Sequence, residues 1–116
     1  SVMYFSDHGL EYDPTKEHAY FHGGIKPSQQ AYHVPMFIWY SPALGEHVDR
    51  QTVNSVFSTA YNDYLINAWM GVTRPAQPKT PEEVITRWQG KSVVFDASRN
   101  VFDYNVLRKN FNETQD

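Results

Sequence analysis

Two short apolar runs without alternation, Val2–Phe5 and residues 36–40, predict the strands of this chain. Continuous apolar runs, rather than alternating ones, are the mark of strands covered on both faces, as in a mostly parallel sheet. Pro35 opens the second run and Ser41-Pro42 stops it. Between the runs, residues 10–30 are polar, rich in Gly, Pro, Lys and His, and without a clear period. They read as a long loop with at most one helical turn, and long ordered loops often carry function.

The strongest helical period covers residues 50–70. Val53, Val56, Phe57, Ala60, Tyr61, Tyr64, Leu65, Ala68 and Trp69 follow the three-four spacing of one face, with Asn54, Ser55, Ser58, Asn62 and Asp63 mostly opposite. Asp49 is the expected N-cap and Gly71 the expected C′ residue. Such a stripe is expected to pack on the sheet through Val53, Phe57, Tyr61 and Trp69. Residues 73–80 hold Pro75 and Pro78 and form a surface connection. Thr80-Pro81-Glu82-Glu83 combines an N-cap, proline at the first helical position and a capping-box glutamate, so a short helix runs to about Gln89 and ends at Gly90. Val93–Phe95 and residues 101–104 flank a turn-like 96–100 and predict a hairpin. Residues 110–116 form a polar tail.

Length and composition narrow the class. The 116 residues suit one domain, and 41% hydrophobic with 16% aromatic residues are enough for a core. A strand-like run begins at the second residue, and a central strand needs neighbours on both sides. The chain therefore reads as a single partial domain, the C-terminal part of a longer protein. Net charge −3 gives no general electrostatic reason to bind nucleic acid or anionic lipid. No run is long and apolar enough to span a bilayer. The absence of Cys removes disulfides, thiolate ligands and a Cys nucleophile.

The candidate chemistry lies where the first strand stops. Ser6-Asp7-His8-Gly9 places a carboxylate beside an imidazole, and Tyr20-Phe21-His22-Gly23-Gly24 adds a second imidazole. In open α/β sheets ligands collect beyond the carboxyl ends of strands. Asp and His are oxygen and nitrogen donors suited to zinc, so the trio reads as half of a metal site. Each residue also has a plain structural role available: Asp7 capping a turn, His8 bonded to backbone, His22 on the loop surface. Neighbours in an ideal strand face opposite ways, so the strand must end near Ser6 for Asp7 and His8 to reach one ion.

Three blocks in order, Tyr4-Phe5-Ser6-Asp7-His8-Gly9, Tyr20-Phe21-His22-Gly23 and His33-Val34-Pro35-Met36-Phe37-Ile38-Trp39, resemble the C-terminal part of the phosphoethanolamine transferases. These belong to the alkaline phosphatase/sulfatase superfamily and are inner-membrane proteins with a periplasmic catalytic domain that decorates lipid A or other envelope glycans. The resemblance covers residues 2–72. It implies an α/β fold, the C-terminal portion of an alkaline-phosphatase-like sandwich with a mostly parallel sheet flanked by helices. It implies Asp7 and His8 as zinc ligands, with one or two Zn ions in the whole enzyme, and His22 at the phosphate being transferred. The remaining family ligands, a Glu and the nucleophilic Thr, would lie upstream, so the fragment alone is expected to be inactive. The donor would be phosphatidylethanolamine and the acceptor a lipid or glycan. The upstream part would complete sheet and site and hold the membrane segments at the periplasmic face, leaving this piece soluble.

His33 supports the start of the second strand and is a further candidate for substrate contact. His18 sits in the loop, and His47 is expected to have no catalytic role. One departure from the family stands out: Leu10 follows Gly9 where the family usually has Glu, and Glu11 comes next. It bears on loop geometry and on acceptor class. Competing readings are a sulfatase or phosphoglycerol transferase of the same superfamily, separated by the upstream nucleophile, and a non-catalytic binding module that keeps the fold. Retention of Asp7, His8 and His22 argues against the last.

Overall fold

The computed structural model describes residues 1–22, 27–44, 50–72 and 74–111. In chain order its elements are β1 (Val2–Phe5), β2 (Glu11–Tyr12), β3 (Tyr20–Phe21), α1 (Gln29–Tyr32), β4 (Met36–Trp39), α2 (Asn62–Met70), α3 (Pro81–Trp88), β5 (Val93–Phe95) and β6 (Val101–Asp103). They fall into two compact units, Ser1–Val53 with Val106–Asp116, and Asn54–Asn105. No helix among the described residues is long and apolar enough to cross a membrane.

In the first unit β1 and β4 form the two expected strands, but they pair antiparallel, Val2 with Trp39 and Tyr4 with Phe37. The content is mixed helix and strand, as an α/β class requires. Among the described residues the expected mostly parallel sheet is not there: the three sheets are two-stranded antiparallel pairs. The reason lies in the connection. Parallel neighbours need a crossover, usually a full helix, and α1 has only four residues. Nor do the described residues cover both faces of the pair. Val2, Tyr4, Phe37 and Trp39 share one face and are about half exposed, with the Tyr4 and Phe37 rings stacked at 5.3 Å.

The loop expected over 10–30 carries more structure than its composition suggests. β2 and β3 form a short hairpin, Glu11 opposite Phe21 and Tyr12 opposite Tyr20. Asp13 N–H donates to Ala19 O (2.7 Å), closing the connection. Within it, Asp13 Oδ1 accepts from Thr15 N–H (3.0 Å) and Thr15 Oγ1 (2.7 Å), which holds its carboxyl below the usual range. The single helical turn, α1, follows at the loop's end. Its preceding residue, Ser28, is fully buried and donates from N–H (2.7 Å) and Oγ (2.5 Å) to the carboxylate of Glu11, itself 2% exposed. Gln29 N–H reaches Arg108 O (2.8 Å), tying α1 to the C-terminal segment.

The second unit corrects the long helix. Residues 50–58 are not helical. Ser58 adopts extended angles (φ −81°, ψ 135°), accepts from Ala60 N–H at Oγ (3.2 Å) and donates to Val93 O (2.5 Å). Its hydroxyl caps the 3₁₀ turn Thr59–Tyr61 that leads into α2, so the apolar stripe continues past the point where the backbone turns away. Val53 is half exposed and outside any helix, and the expected cap Asp49 lies outside the described residues. Gly71 ends α2 as expected, in the left-handed region (φ 75°) that glycine tolerates.

Within this unit the stripe packs on α3 rather than on a strand pair. Trp88 stacks on Tyr61 (5.3 Å) and Tyr64 (4.5 Å), while Leu65 and Val84 are fully buried. Asn62, expected on the polar side, is buried. The α3 signals hold: Thr80 Oγ1 accepts from Glu83 N–H (3.2 Å), and Pro81 opens the helix. Glu83 reaches back to Lys79 N–H (2.9 Å). The β5–β6 hairpin forms with Val94 opposite Phe102.

Two predictions follow from this framework. Gly9 donates its N–H to Ala31 O (2.8 Å), and a Cβ there would collide with Gln30 O and lie 3.1 Å from the Ala31 carbonyl carbon. Gly9→Ala is expected to cost about 1–3 kcal/mol in urea unfolding, because backbone, not a side-chain tip, blocks the space. In the hairpin, bonds from Asn100 to Asp96 and from Ser92 and Asn105 to Asp103 hold both carboxyls below their ordinary 3.8. A folded pKa below the unfolded one gives stability that is complete above the unfolded value and lost as pH falls through the folded value. Unfolding midpoints should therefore drop below about pH 4, and Asp96→Asn should flatten that acid limb.

Candidate functional site

β1 ends at Phe5, and four hydrogen bonds shape the turn that follows. Ser6 Oγ donates to His8 O (2.9 Å), and His8 N–H donates to Asp7 Oδ1 (3.0 Å). His8 Nδ1 lies 2.8 Å from Gly9 O, and Gly9 N–H is held by Ala31 O as described. A carbonyl oxygen only accepts, so Nδ1 is the donor here, and the neutral tautomer that fits carries its lone pair on Nε2. That is the arrangement of a metal-binding imidazole whose other nitrogen is fixed by a carbonyl.

Asp7 accepts the His8 N–H at Oδ1 and turns Oδ2 toward the His8 ring. Its Oδ2 lies 3.9 Å from His8 Nε2, too far for a hydrogen bond. Two donors on one tetrahedral zinc stand about 3.4 Å apart at ordinary bond lengths, so a small side-chain rotation suffices. The pair is open to solvent: the Asp7 side chain is 87% exposed and that of His8 48%. An oxygen and a nitrogen donor, adjacent and accessible, fit zinc in kind and placement. Among the described residues, no group of three or more His, Asp or Glu converges as a metal cage.

His22 follows β3, and its ring lies 5.0 Å from that of His8, tilted by 37°. His22 thus lies beside His8, itself next to Asp7, so side chains from two separate segments meet at this turn. It does not bring His33 into ring contact with them. His33 ends α1, where its N–H donates to Gln29 O (2.9 Å), and its side chain is exposed. His18 is exposed in the hairpin connection, and His47 lies outside the described residues.

Glu11 is the residue whose role the sequence hid. It stands one position after the place where the resemblance expects a Glu. It points inward opposite Phe21 and clamps Ser28, fixing the hairpin to α1. Between Leu10 and Tyr12 a carboxylate reads as the solvent side of a strand; here both apolar neighbours are exposed and the acid is buried. The shift relative to the family pattern was the signal available.

These residues lie inside the segment recognised by a family model. The sulfatase model matches residues 1–76. The chain is also 70% identical, over 113 residues, to the protein named "Putative transferase YhbX" of Escherichia coli O157:H7, and equally to its counterpart of the same name in Escherichia coli K12. Each match covers 97% of this chain and 21% of the relative, so the chain spans about a fifth of the length of the curated relatives it matches. No solved structure matches it. The family model covers the Asp7-His8-Gly9 turn, His22 and both β1 and β4, and with that coverage the chain belongs to the sulfatase family.

Proposed function

We propose that this chain is the C-terminal part of a zinc-dependent phosphoethanolamine transferase, with phosphatidylethanolamine as donor and lipid A or an envelope glycan as acceptor. One observation carries the reading: Asp7 Oδ2 and His8 Nε2 lie 3.9 Å apart at the exposed turn, with the His22 ring 5.0 Å from that of His8. The transferase name of the relatives agrees with it.

Asp7 and His8 would hold zinc, one or two ions in the whole enzyme, which when bound lowers the pKa of a nearby hydroxyl and draws charge from phosphoryl oxygens. The chain's own residues do the rest. Ser6 and Gly9 hold the turn so that both donors face one way. His22 donates a hydrogen bond to a phosphoryl oxygen and gives a proton to the departing alkoxide. An upstream Thr hydroxyl attacks phosphorus, the bond to diacylglycerol breaks, and an acceptor hydroxyl then takes the group in a second displacement. His33, at the end of α1, is a further substrate contact. The upstream sequence completes the sheet and anchors the enzyme at the periplasmic face of the inner membrane. The second reading is a sulfatase, the name the matching family model carries, or a phosphoglycerol transferase of the same superfamily, and the upstream nucleophile decides between them.

Variants of the full-length enzyme separate the roles. Asp7→Ala and His8→Ala are expected to lower zinc content and turnover together. His22→Ala should keep zinc while transfer from a labelled phosphatidylethanolamine falls on the order of a hundredfold or more. Metal content and transfer are measured on the same samples. Full activity in His22→Ala removes His22 from the phosphoryl site, and full activity in all three variants leaves the non-catalytic module as the better description.

A further inference from the structure

The β2–β3 hairpin has two aromatic faces with different occupants. On one, Phe21 stands opposite Glu11 and its ring carries an ammonium. Lys16 Nζ lies 4.0 Å from the centre of Phe21 and 4.9 Å from that of Phe111, and these two rings meet edge-to-face at 5.1 Å. On the other face Tyr12 stands opposite Tyr20, with ring centres 4.9 Å apart and planes tilted by 44°. Both tyrosines are exposed, Tyr12 at 39% and Tyr20 at 66%. Among the described residues no lysine or arginine lies over either ring.

The tyrosine face leads to the site already described. Alternation continued two residues past Tyr20 sets His22 on the same side, about 7 Å along the strand direction. His22 in turn touches the His8 ring. An exposed aromatic pair therefore adjoins the position where the phosphoryl group would sit.

We propose that Tyr12 and Tyr20 receive the ammonium end of the transferred group while His22 holds its phosphoryl end. This rests on the phosphoethanolamine reading above. Four bonds separate phosphorus from nitrogen in phosphoethanolamine, about 5 Å when extended. With a hydrogen bond to His22 at one end, that length spans the step from His22 to Tyr20. Ring faces attract a cation within about 6 Å of their centres through the aromatic quadrupole. The Lys16 arrangement shows the same hairpin holding an ammonium between two rings of nearly the same spacing. A neutral alkyl group gains nothing from the quadrupole, so the pair selects an aminoalkyl phosphate over an alkyl phosphate.

The test uses the full-length enzyme in mixed micelles with two donors, phosphatidylethanolamine and phosphatidyl-n-propanol, which replaces the ammonium by a methyl group. The readout is the ratio of their kcat/KM values. Wild type is expected to prefer the ammonium donor at least tenfold, and Tyr12→Leu and Tyr20→Leu to shrink that ratio about 3- to 30-fold. Tyr20→Phe keeps the ring and so keeps the preference. A ratio near one in wild type overturns the proposal whether or not the variants fold. So does an unchanged ratio in both leucine variants, an equal fall for both donors, or loss of preference in Tyr20→Phe, which would assign the effect to the hydroxyl. No transfer from either donor by wild type overturns the phosphoethanolamine reading itself, and this assignment with it.

Discussion

Gly9 meets the backbone of α1 with no room for a side chain, and its N–H is held by Ala31 O. From that contact the geometry of the site propagates in both directions. Upstream, the Gly9 carbonyl accepts a hydrogen bond from His8 Nδ1 and so decides which imidazole nitrogen faces outward. Downstream, the chain enters β2, where Glu11 grips the residue in front of α1. The contact thus ties the end of β1 and the hairpin that follows it to α1, further along the chain. A side chain at position 9 would push α1 away and release the turn that orients Asp7 and His8.

The second unit stands on a different kind of interaction. Trp88 stacks on Tyr61 and Tyr64, and Leu65 and Val84 fill the space between α2 and α3. Burial of each aliphatic side chain supplies roughly 1.5–3 kcal/mol. Polar groups then set the boundaries. Ser58 decides where the helical part starts, and Thr80 does the same for α3. Apolar stacking gives this unit its cohesion, while hydroxyl caps give it its limits.

Local signals were legible where one residue type has one physical use. The Thr80-Pro81 start, Gly71 at a left-handed position and the β5–β6 hairpin were all readable for that reason. The apolar runs located β1 and β4, but not their direction. A run of apolar residues says that a strand exists; the connection decides whether it is parallel, and four helical residues cannot make a crossover. The long helix failed because a three-four stripe cannot show that Ser58 diverts the backbone. In the site, Asp7, His8 and His22 stand out by residue type and order; Asp7 and His8 adjoin, and the His22 ring lies beside that of His8. Glu11 was not, because a carboxylate between two apolar residues points outward by every local rule.

The Glu11–Ser28 clamp has a further consequence, for how this hairpin can change. Two-residue strands contain too few pairs to choose their own alignment, and a slip by one residue would turn every side chain to the other face. Here alignment is imposed from outside, since a buried carboxylate loses both donors if β2 slides. The connection of residues 13–19, closed by Asp13 N–H on Ala19 O, is thereby relieved of setting the alignment alone. Change at its exposed tip, Glu17 and His18, can be absorbed while Asp13 and Lys16 keep their contacts and His22 stays beside His8.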